Sequence, residues 1–295
     1  MSVAPTLPPS AVSHSSPTQP PESPRASDRP RTVSFLVRSA PVLLPASLAL
    51  VVVVAWQLVC VIGEIPAFLF PAPTDVFAAA TTHAGLIASA FVVTASEALI
   101  AFAVSAVVGI VGAFLLSSHR VIELSAYPYA ILLQTIPSVA TAPLIIIWFG
   151  VTQTSVVIIA TIMAFIPVLS NTLIGLRSAD QRAVELFSLL NASKLQTLVR
   201  LRIPSSLPYI VGGLRISSTM AVIGVIVAEY ISGIGSGRAG LGFLITKSAT
   251  RFETPLLFAA GLACALLGIL FFQVVQWLGR LLLASWHESE MVSAS

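Results

Sequence analysis

The sequence predicts an all-α membrane protein with six transmembrane helices. Of its 295 residues, 56% are hydrophobic and only 9% are charged, whereas soluble domains carry about 25% charged residues. The charges also leave long gaps, because none lies within residues 39–63, 124–176 or 254–279. A helix needs about 20 apolar residues to cross a bilayer. The first and last gaps therefore fit one span each, and the middle gap fits two.

The same composition excludes two other classes of protein. Strands of membrane β-barrels alternate in polarity over about 10 residues, and these apolar runs do not alternate. The net charge of +3 is not gathered into a basic patch interleaved with aromatic residues, so no nucleic-acid partner is expected. We therefore expect the apolar helices to lie in a lipid bilayer.

The spans follow one another within a membrane domain predicted to cover residues 33–287. In chain order they cover about residues 40–62, 86–116, 125–149, 153–176, 205–230 and 255–280. Prolines inside the third and fourth spans are tolerated, because neighbouring membrane helices can satisfy the freed backbone groups. Small residues at Gly109, Gly112, Gly212 and Gly213 predict close helix packing.

The two ends of the chain are predicted to be tails. Residues 1–32 hold eight of the twenty prolines and many serines, so they bury too little apolar surface to order, and we expect a disordered cytoplasmic tail. The apolar run that follows is too long for a signal peptide and is interpreted as a retained span. Residues 288–295 form a short C-terminal tail.

The basic residues between spans predict the orientation. With the N-terminus inside, eleven basic residues face the cytoplasm and three, Arg238, Lys247 and Arg251, face outward. The positive-inside rule therefore favours cytoplasmic termini and a cytoplasmic loop at residues 177–204.

That loop predicts a helix, a turn and a second helix. Ser178 with Gln181, and Ser193 with Gln196, have the spacing of capping boxes. The helices are expected at about 179–190 and 194–202, with Pro204 ending the second. Asn191 lies between them, where a left-handed residue would reverse the chain. An ordinary amphipathic loop on the membrane surface has the same pattern.

The spacing within the loop resembles the EAA motif of the membrane subunits of ABC importers. The motif is E-A-A, three residues, G, nine residues and I-x-L-P, and the chain carries Glu185-Leu186-Phe187, then Asn191-Ala192-Ser193, then Leu201-Arg202-Ile203-Pro204. The glutamate, the proline and every interval match. Leu186 and Phe187 replace the two alanines and Asn191 replaces the glycine, so the docking surface differs from the family pattern.

Further segments resemble the same family, in the same order, over about residues 66–286. They are Phe70-Pro71-Ala72-Pro73-Thr74-Asp75-Val76, Ile136-Pro137, Ala142-Pro143-Leu144, Trp148-Phe149-Gly150, Gly213-Leu214-Arg215, Ala228-Glu229, Gly240-Leu241-Gly242 and Phe252-Glu253-Thr254-Pro255. The most similar group is the nitrate, taurine and aliphatic-sulfonate type of permease, which also contains importers of pyrimidine vitamin precursors.

The resemblance implies a type I ABC importer permease fold in a prokaryotic cell membrane. Two permease subunits, here expected as a homodimer, form the pathway. Cytoplasmic ABC ATPase subunits grip the EAA loops, and an extracytoplasmic binding protein delivers a small solute. The implied coupling residues are Glu185, Leu186, Phe187, Asn191, Ala192, Ser193, Leu201 and Pro204.

No enzyme activity or cofactor is expected in this chain itself. Neither Lys194 nor Lys247 lies in a G-x-x-x-x-G-K-[ST] phosphate loop, so ATP and magnesium are expected on the partner ATPase. The four histidines lack metal-ligand spacing. The glycines from Gly233 to Gly242 predict a flexible outer loop.

Three ionisable residues fall inside spans and are candidates for the translocation pathway: Glu97, Arg215 and Glu229. At Glu97 the related permeases often carry an arginine. The competing interpretation is that Glu97 and Arg215 form a structural ion pair, because the bilayer penalises either charge alone. Glu229 could equally be an interfacial residue in contact with water.

Two other functions remain as alternatives. A stand-alone secondary transporter is expected to show repeated broken helices and more midplane ligands, and it gives no reason for the EAA spacing. An intramembrane hydrolase using Ser236 would lack a nearby histidine as general base.

Overall fold

The computed structural model describes residues 31–118, 121–122, 124–125, 128–129, 132, 136–232 and 240–293. The chain divides into two compact units, Met1–Val52 and Val53–Ser295. The first unit is described only as the opening part of helix α1. The second unit holds the other helices and every site discussed below.

The described residues form helices and contain no strand. These helices are α1 (Arg31–Ile62), α2 (Pro73–Thr82), α3 (Ala84–Ser118), α4 (Ser138–Phe149), α5 (Gln153–Arg177), α6 (Gln181–Leu189), α7 (Lys194–Thr197), α8 (Ile203–Ser232), α9 (Leu241–Thr250) and α10 (Thr254–Ser293). A π-helical turn, Leu198–Arg202, joins α7 to α8. The prediction of an all-α membrane protein is confirmed.

Five of the described helices are long and apolar enough to cross a membrane. They cover Leu44–Ile62, Ala84–Ser118, Gln153–Arg177, Lys194–Ser232 and Thr254–Leu283. These ranges correspond to the first, second, fourth, fifth and sixth predicted spans. The third predicted span lies partly outside the described residues, and its described part includes the shorter apolar helix α4.

The ends of two helices differ from the predicted boundaries. Helix α1 is Arg31–Ile62, so residues 31 and 32 of the predicted tail are helical, and the rest of that tail lies outside the described residues. Helix α10 continues to Ser293, well beyond the predicted end at residue 280. Residues 281–284, Leu-Leu-Leu-Ala, are strong helix formers and do not stop a helix that is already formed.

Helix α5 lies at the centre of the second unit, where it packs against α3 and α8. Glycine permits these close contacts: a Cβ atom at Gly109 would lie 2.7 Å from the Val168 Cβ atom, and one at Gly213 would lie 2.9 Å from the Asn171 Cβ atom. The predicted packing role is confirmed for both. It is wrong for Gly212, where a Cβ atom would meet nothing within 4 Å.

The core between these helices consists mainly of alanine and β-branched residues. Ala98, Ile159, Ala160 and Val225 are almost fully buried in one continuous apolar cluster. Large side chains on the outer faces are exposed, for example Ile147 and Trp148 on α4. Such faces are stable against lipid and unstable against water.

Candidate functional site

The first helix of the 177–204 loop is capped by Asp180 rather than by Ser178. The Asp180 side chain caps α6 by accepting a hydrogen bond from the Arg182 backbone N–H at 3.0 Å. Ser178 instead ends α5, and its Oγ atom donates to the carbonyl oxygen of Gly175 at 2.8 Å. The predicted Ser178–Gln181 capping box is therefore wrong, because the serine is occupied by the helix before it.

Asn191 reverses the chain after α6. Its φ angle is 53°, the left-handed conformation that the sequence predicts for this position. The N–H of Asn191 donates to the Ser188 carbonyl and the N–H of Ala192 donates to the Phe187 carbonyl, both at 3.0 Å. Together these two bonds form a complete Schellman motif, which satisfies carbonyl groups at the end of the helix.

The second helix begins at a capping box, as predicted. The Ser193 N–H donates to Gln196 Oε1 at 2.8 Å, and the Gln196 N–H donates to Ser193 Oγ at 3.2 Å. Helix α7 is only Lys194–Thr197, and the π-helical turn then carries the backbone into α8.

Pro204 does not end this helix, so that prediction is wrong. Proline is tolerated in the first turn of an α-helix, where its missing N–H is not needed. Here a π turn precedes α8, and in it the Ile203 N–H donates to the carbonyl group five residues earlier, that of Leu198. Pro204 is the second residue of the α-helix that follows this turn.

The exposed face of the loop is apolar with one acidic residue. No residue of α6 is buried. The side chains of Leu186, Leu189 and Leu190 are 54%, 80% and 70% exposed, and Glu185 beside them is also exposed. We call these four residues the loop face. Large apolar side chains that cluster on an exposed surface mark an interaction site.

A second candidate site, made of polar groups, is buried among α3, α8 and α9. The Glu229 carboxylate accepts a hydrogen bond from Thr94 Oγ1 at 2.8 Å and another from the Gly242 N–H at 2.7 Å. The Leu241 N–H donates to Thr94 Oγ1 at 2.8 Å. Glu97 lies one helical turn after Thr94 on the same buried face of α3, next to this site. We call these five residues the carboxyl cluster.

Both glutamates of the cluster are only 5% exposed. The Glu229 side chain is therefore enclosed by the helices rather than exposed on their surface. The Glu229 carboxyl group lies against the N-terminus of α9, where the helix dipole stabilises a negative charge. The backbone N–H groups of Leu241 and Gly242, at the start of α9, donate into the cluster.

Glycine permits this approach of α9 to Glu229. A Cβ atom at Gly240 would overlap the Glu229 carboxyl group, and one at Gly242 would overlap the Ile226 carbonyl oxygen. These two glycines are thus packed positions, and the predicted flexible loop does not extend to them. Residues 233–239 lie outside the described residues.

The predicted Glu97–Arg215 ion pair is not formed among the described residues. Glu97 Oε2 and Arg215 Nε are both buried without a hydrogen-bond partner. Arg215 approaches α10 instead, since a Cβ atom at Gly279 would lie 3.9 Å from Arg215 Nε. The structure brings Glu97 to Glu229 and leaves Arg215 elsewhere on α8.

Sequence reasoning missed Thr94 and the backbone of Leu241 as members of the cluster. The signal was present in part, because Ala228-Glu229 and Gly240-Leu241-Gly242 both occur among the resembling segments. What it lacked was the partner on α3, which lies 135 residues before Glu229 in the chain.

Long apolar helices, glycine-mediated packing and ionisable groups buried between the helices define a multi-pass membrane protein. Residues 105–286 match the family model described as the binding-protein-dependent transport system inner membrane component. The chain belongs to this family.

Similar proteins agree with this assignment. The chain is 33% identical to the formylaminopyrimidine transport permease protein ThiX of Halalkalibacterium halodurans, over 86% of this chain and 99% of that protein. It is 29% identical to the putative aliphatic sulfonates transport permease protein SsuC of Bacillus subtilis, over 90% of this chain and 97% of that protein. It is also 32% identical to a protein named as a probable ABC transporter permease protein of Haemophilus influenzae, over 80% of this chain and 95% of that protein. This chain is likewise a permease subunit of an ABC transporter.

The fold also resembles a solved structure. A chain of an amino acid ABC transporter crystallised with histidines superposes with a TM-score of 0.54 at 19% identity, covering 68% of this chain and 95% of that chain. This similarity confirms the fold.

Proposed function

We propose that this chain lines the translocation pathway of an importer and couples it to a separate ATPase through the 177–204 loop. The observation that carries the proposal is the loop face. It presents exposed leucines and a carboxylate on a short helix whose end is held by the Schellman turn at Asn191. Its fixed geometry suits insertion into a cleft of a partner protein.

The coupling residues divide into two kinds by position. Glu185, Leu186 and Phe187 belong to the docking helix, and the first two are exposed. Asn191, Ala192 and Ser193 form the turn and the capping box, which position that helix. Leu201 and Pro204 lie in and just after the π turn that links the loop to α8, so they transmit its movement into the membrane.

We propose that the loop and both termini face the cytoplasm. The support is the excess of basic residues on that side. ATP and magnesium then belong to the ATPase that docks on the loop face. A binding protein would meet the opposite end of the molecule, and a second copy of this chain would complete the pathway.

The proposed substrate is a small solute of the sulfonate, taurine or nitrate class or a pyrimidine precursor. Support comes from the two relatives above, whose names give an aliphatic sulfonate and a formylaminopyrimidine. Within the pathway we place Arg215, whose buried Nε atom has no hydrogen-bond partner in the described part of the chain. Glu97 and Glu229 border the pathway through the carboxyl cluster.

The test is affinity purification of the tagged chain from its own cells in mild detergent. We expect an ABC ATPase to co-purify, and a ligand screen on the co-purified binding protein should then give the substrate. Glu185→Lys reverses the charge of the loop face and should lose the ATPase. Glu253→Lys makes the same change at an exposed position outside the loop and should retain it. Equal recovery of the ATPase with both variants would contradict the docking role.

A further inference from the structure

The hydrogen bonds of the carboxyl cluster determine where its protons lie. A backbone N–H can only donate, so the bond from Leu241 makes Thr94 Oγ1 an acceptor. The single hydroxyl proton of Thr94 is then free to point at Glu229, 2.8 Å away. The other Glu229 oxygen accepts from the Gly242 N–H. Both oxygens of Glu229 are acceptors, as in an ionised carboxylate.

Glu97 cannot be ionised as well without placing two adjacent negative charges in a nearly dry site. Each glutamate is 5% exposed. The groups bonded within the cluster are the Thr94 hydroxyl from α3 and the N-terminal N–H groups of α9, and Cys264 on α10 packs against the neighbouring apolar core. No arginine, lysine or histidine is bound to either carboxyl group in the described part of the chain. Buried charges require a partner or neutralise themselves.

The unpartnered oxygen of Glu97 supports the same assignment. Its Oε2 atom is buried and makes no hydrogen bond. An unpaired oxygen of an ionised carboxylate in that position would carry a large desolvation cost, whereas the oxygen of a neutral acid costs only a few kcal/mol.

We infer that Glu97 is a proton-binding residue, which carries a proton at neutral pH and donates it to the Glu229 carboxylate. One negative charge, stabilised by the N-terminus of α9, is then buried in place of two. The proton then joins Glu97 on α3 to Glu229 on α8.

A metal cation fits the cluster less well than a proton. Cations such as calcium take six to eight oxygen ligands, and both oxygens of Glu229 already accept hydrogen bonds from fixed donors. Among the described residues there is no group of three or more histidine, cysteine, aspartate or glutamate side chains that could hold a metal ion.

Infrared spectroscopy of the purified full chain in lipid at neutral pH tests this inference. Exposed carboxyl groups are ionised at that pH and give only carboxylate bands. A protonated carboxylic acid gives a carbonyl band at a different frequency, so it can be detected among them. We expect this band in the wild type, its loss in Glu97→Gln, and its retention in the control Glu253→Gln. In Glu229→Gln the band should remain and shift, because Glu97 keeps its proton but loses an anionic acceptor.

Thermal unfolding of the same samples separates the proton from a purely structural effect. The amide introduced by Glu97→Gln can still donate to Glu229, so this variant should unfold within a few degrees of wild type, while Glu97→Leu should unfold at a lower temperature. Absence of the band in folded wild-type protein would overturn the inference. So would a band that survives in Glu97→Gln and disappears in Glu229→Gln, since the proton would then lie on Glu229.

Discussion

Asn191 is the residue on which the geometry of the 177–204 loop depends. Its left-handed backbone, with φ at 53°, allows the two hydrogen bonds that end α6 and turn the chain toward α7. Asparagine adopts this conformation more readily than other non-glycine residues because its short polar side chain bonds locally. The turn is thus compatible with asparagine or glycine and disfavours β-branched residues.

Asn191→Val should strain this turn by about 1–2 kcal/mol, because a β-branched side chain crowds the left-handed backbone. Asn191→Gly should be neutral or stabilising. We expect both variants to insert normally into the membrane, and only the valine variant to recover less ATPase in the affinity purification. Equal recovery from the two variants would show that the turn geometry does not control docking.

Single residues also show how far the sequence alone could lead. The Asn191 turn and the Ser193–Gln196 capping box were predictable because their partners lie within a few positions of one another. Ser178 was misassigned because two helices compete for one hydroxyl group, and spacing does not show which helix binds it. The partner of Glu229 was not predictable, since α3 and α9 meet only in the folded chain.

Helix α9 packs against the membrane helices α3 and α8 at the carboxyl cluster. It begins at Leu241, directly after Gly240, and its first turn lies against α8 so closely that a Cβ atom at Gly242 would lie 2.8 Å from the Glu229 Cβ atom. Its N-terminal N–H groups bond to Thr94 and Glu229 and have no partner within α9 itself. The position of this short helix therefore depends on glycine and on the cluster together.

Gly242→Ala should displace α9, because the added Cβ atom would overlap the backbone carbonyl of Ile226, which cannot rotate away. We expect a loss of about 2–4 kcal/mol in stability, similar to other buried steric and hydrogen-bond losses. Gly261→Ala is the matched control, since a Cβ atom there meets nothing within 4 Å and alanine favours a helix by about 1 kcal/mol. Thermal unfolding in detergent compares them, and equal unfolding temperatures would contradict the close packing of α9.

On the scale of the whole molecule, α8 connects the loop face to the carboxyl cluster. The loop leads into α8 through the π turn at Leu198–Arg202, and Glu229 lies near the other end of the same helix, which runs Ile203–Ser232. A helix is stiff along its axis, so movement of the loop can reach the cluster without a change in the helix itself. In the proposed orientation, this one helix connects the two sides of the membrane.

The proposed orientation predicts which positions are accessible from outside intact cells. In a background without Cys60 and Cys264, an impermeant thiol reagent should label Thr250→Cys, at the end of α9, and should not label Ser178→Cys. Both positions are exposed, so burial does not explain a difference between them. After the membrane is permeabilised, both should react. Labelling of Ser178→Cys alone in intact cells would reverse the orientation and remove the loop from the cytoplasm.

The most direct test of the central claim is uptake into proteoliposomes. The claim is that this chain transports its substrate only together with a separate ATPase docked on the loop face. Vesicles holding the chain, its co-purified ATPase and the substrate-loaded binding protein should accumulate substrate when ATP is supplied on the ATPase side, and the Glu185→Lys complex should not. Uptake by the chain alone, driven by an ion gradient without ATP, would contradict the account and favour a stand-alone secondary transporter.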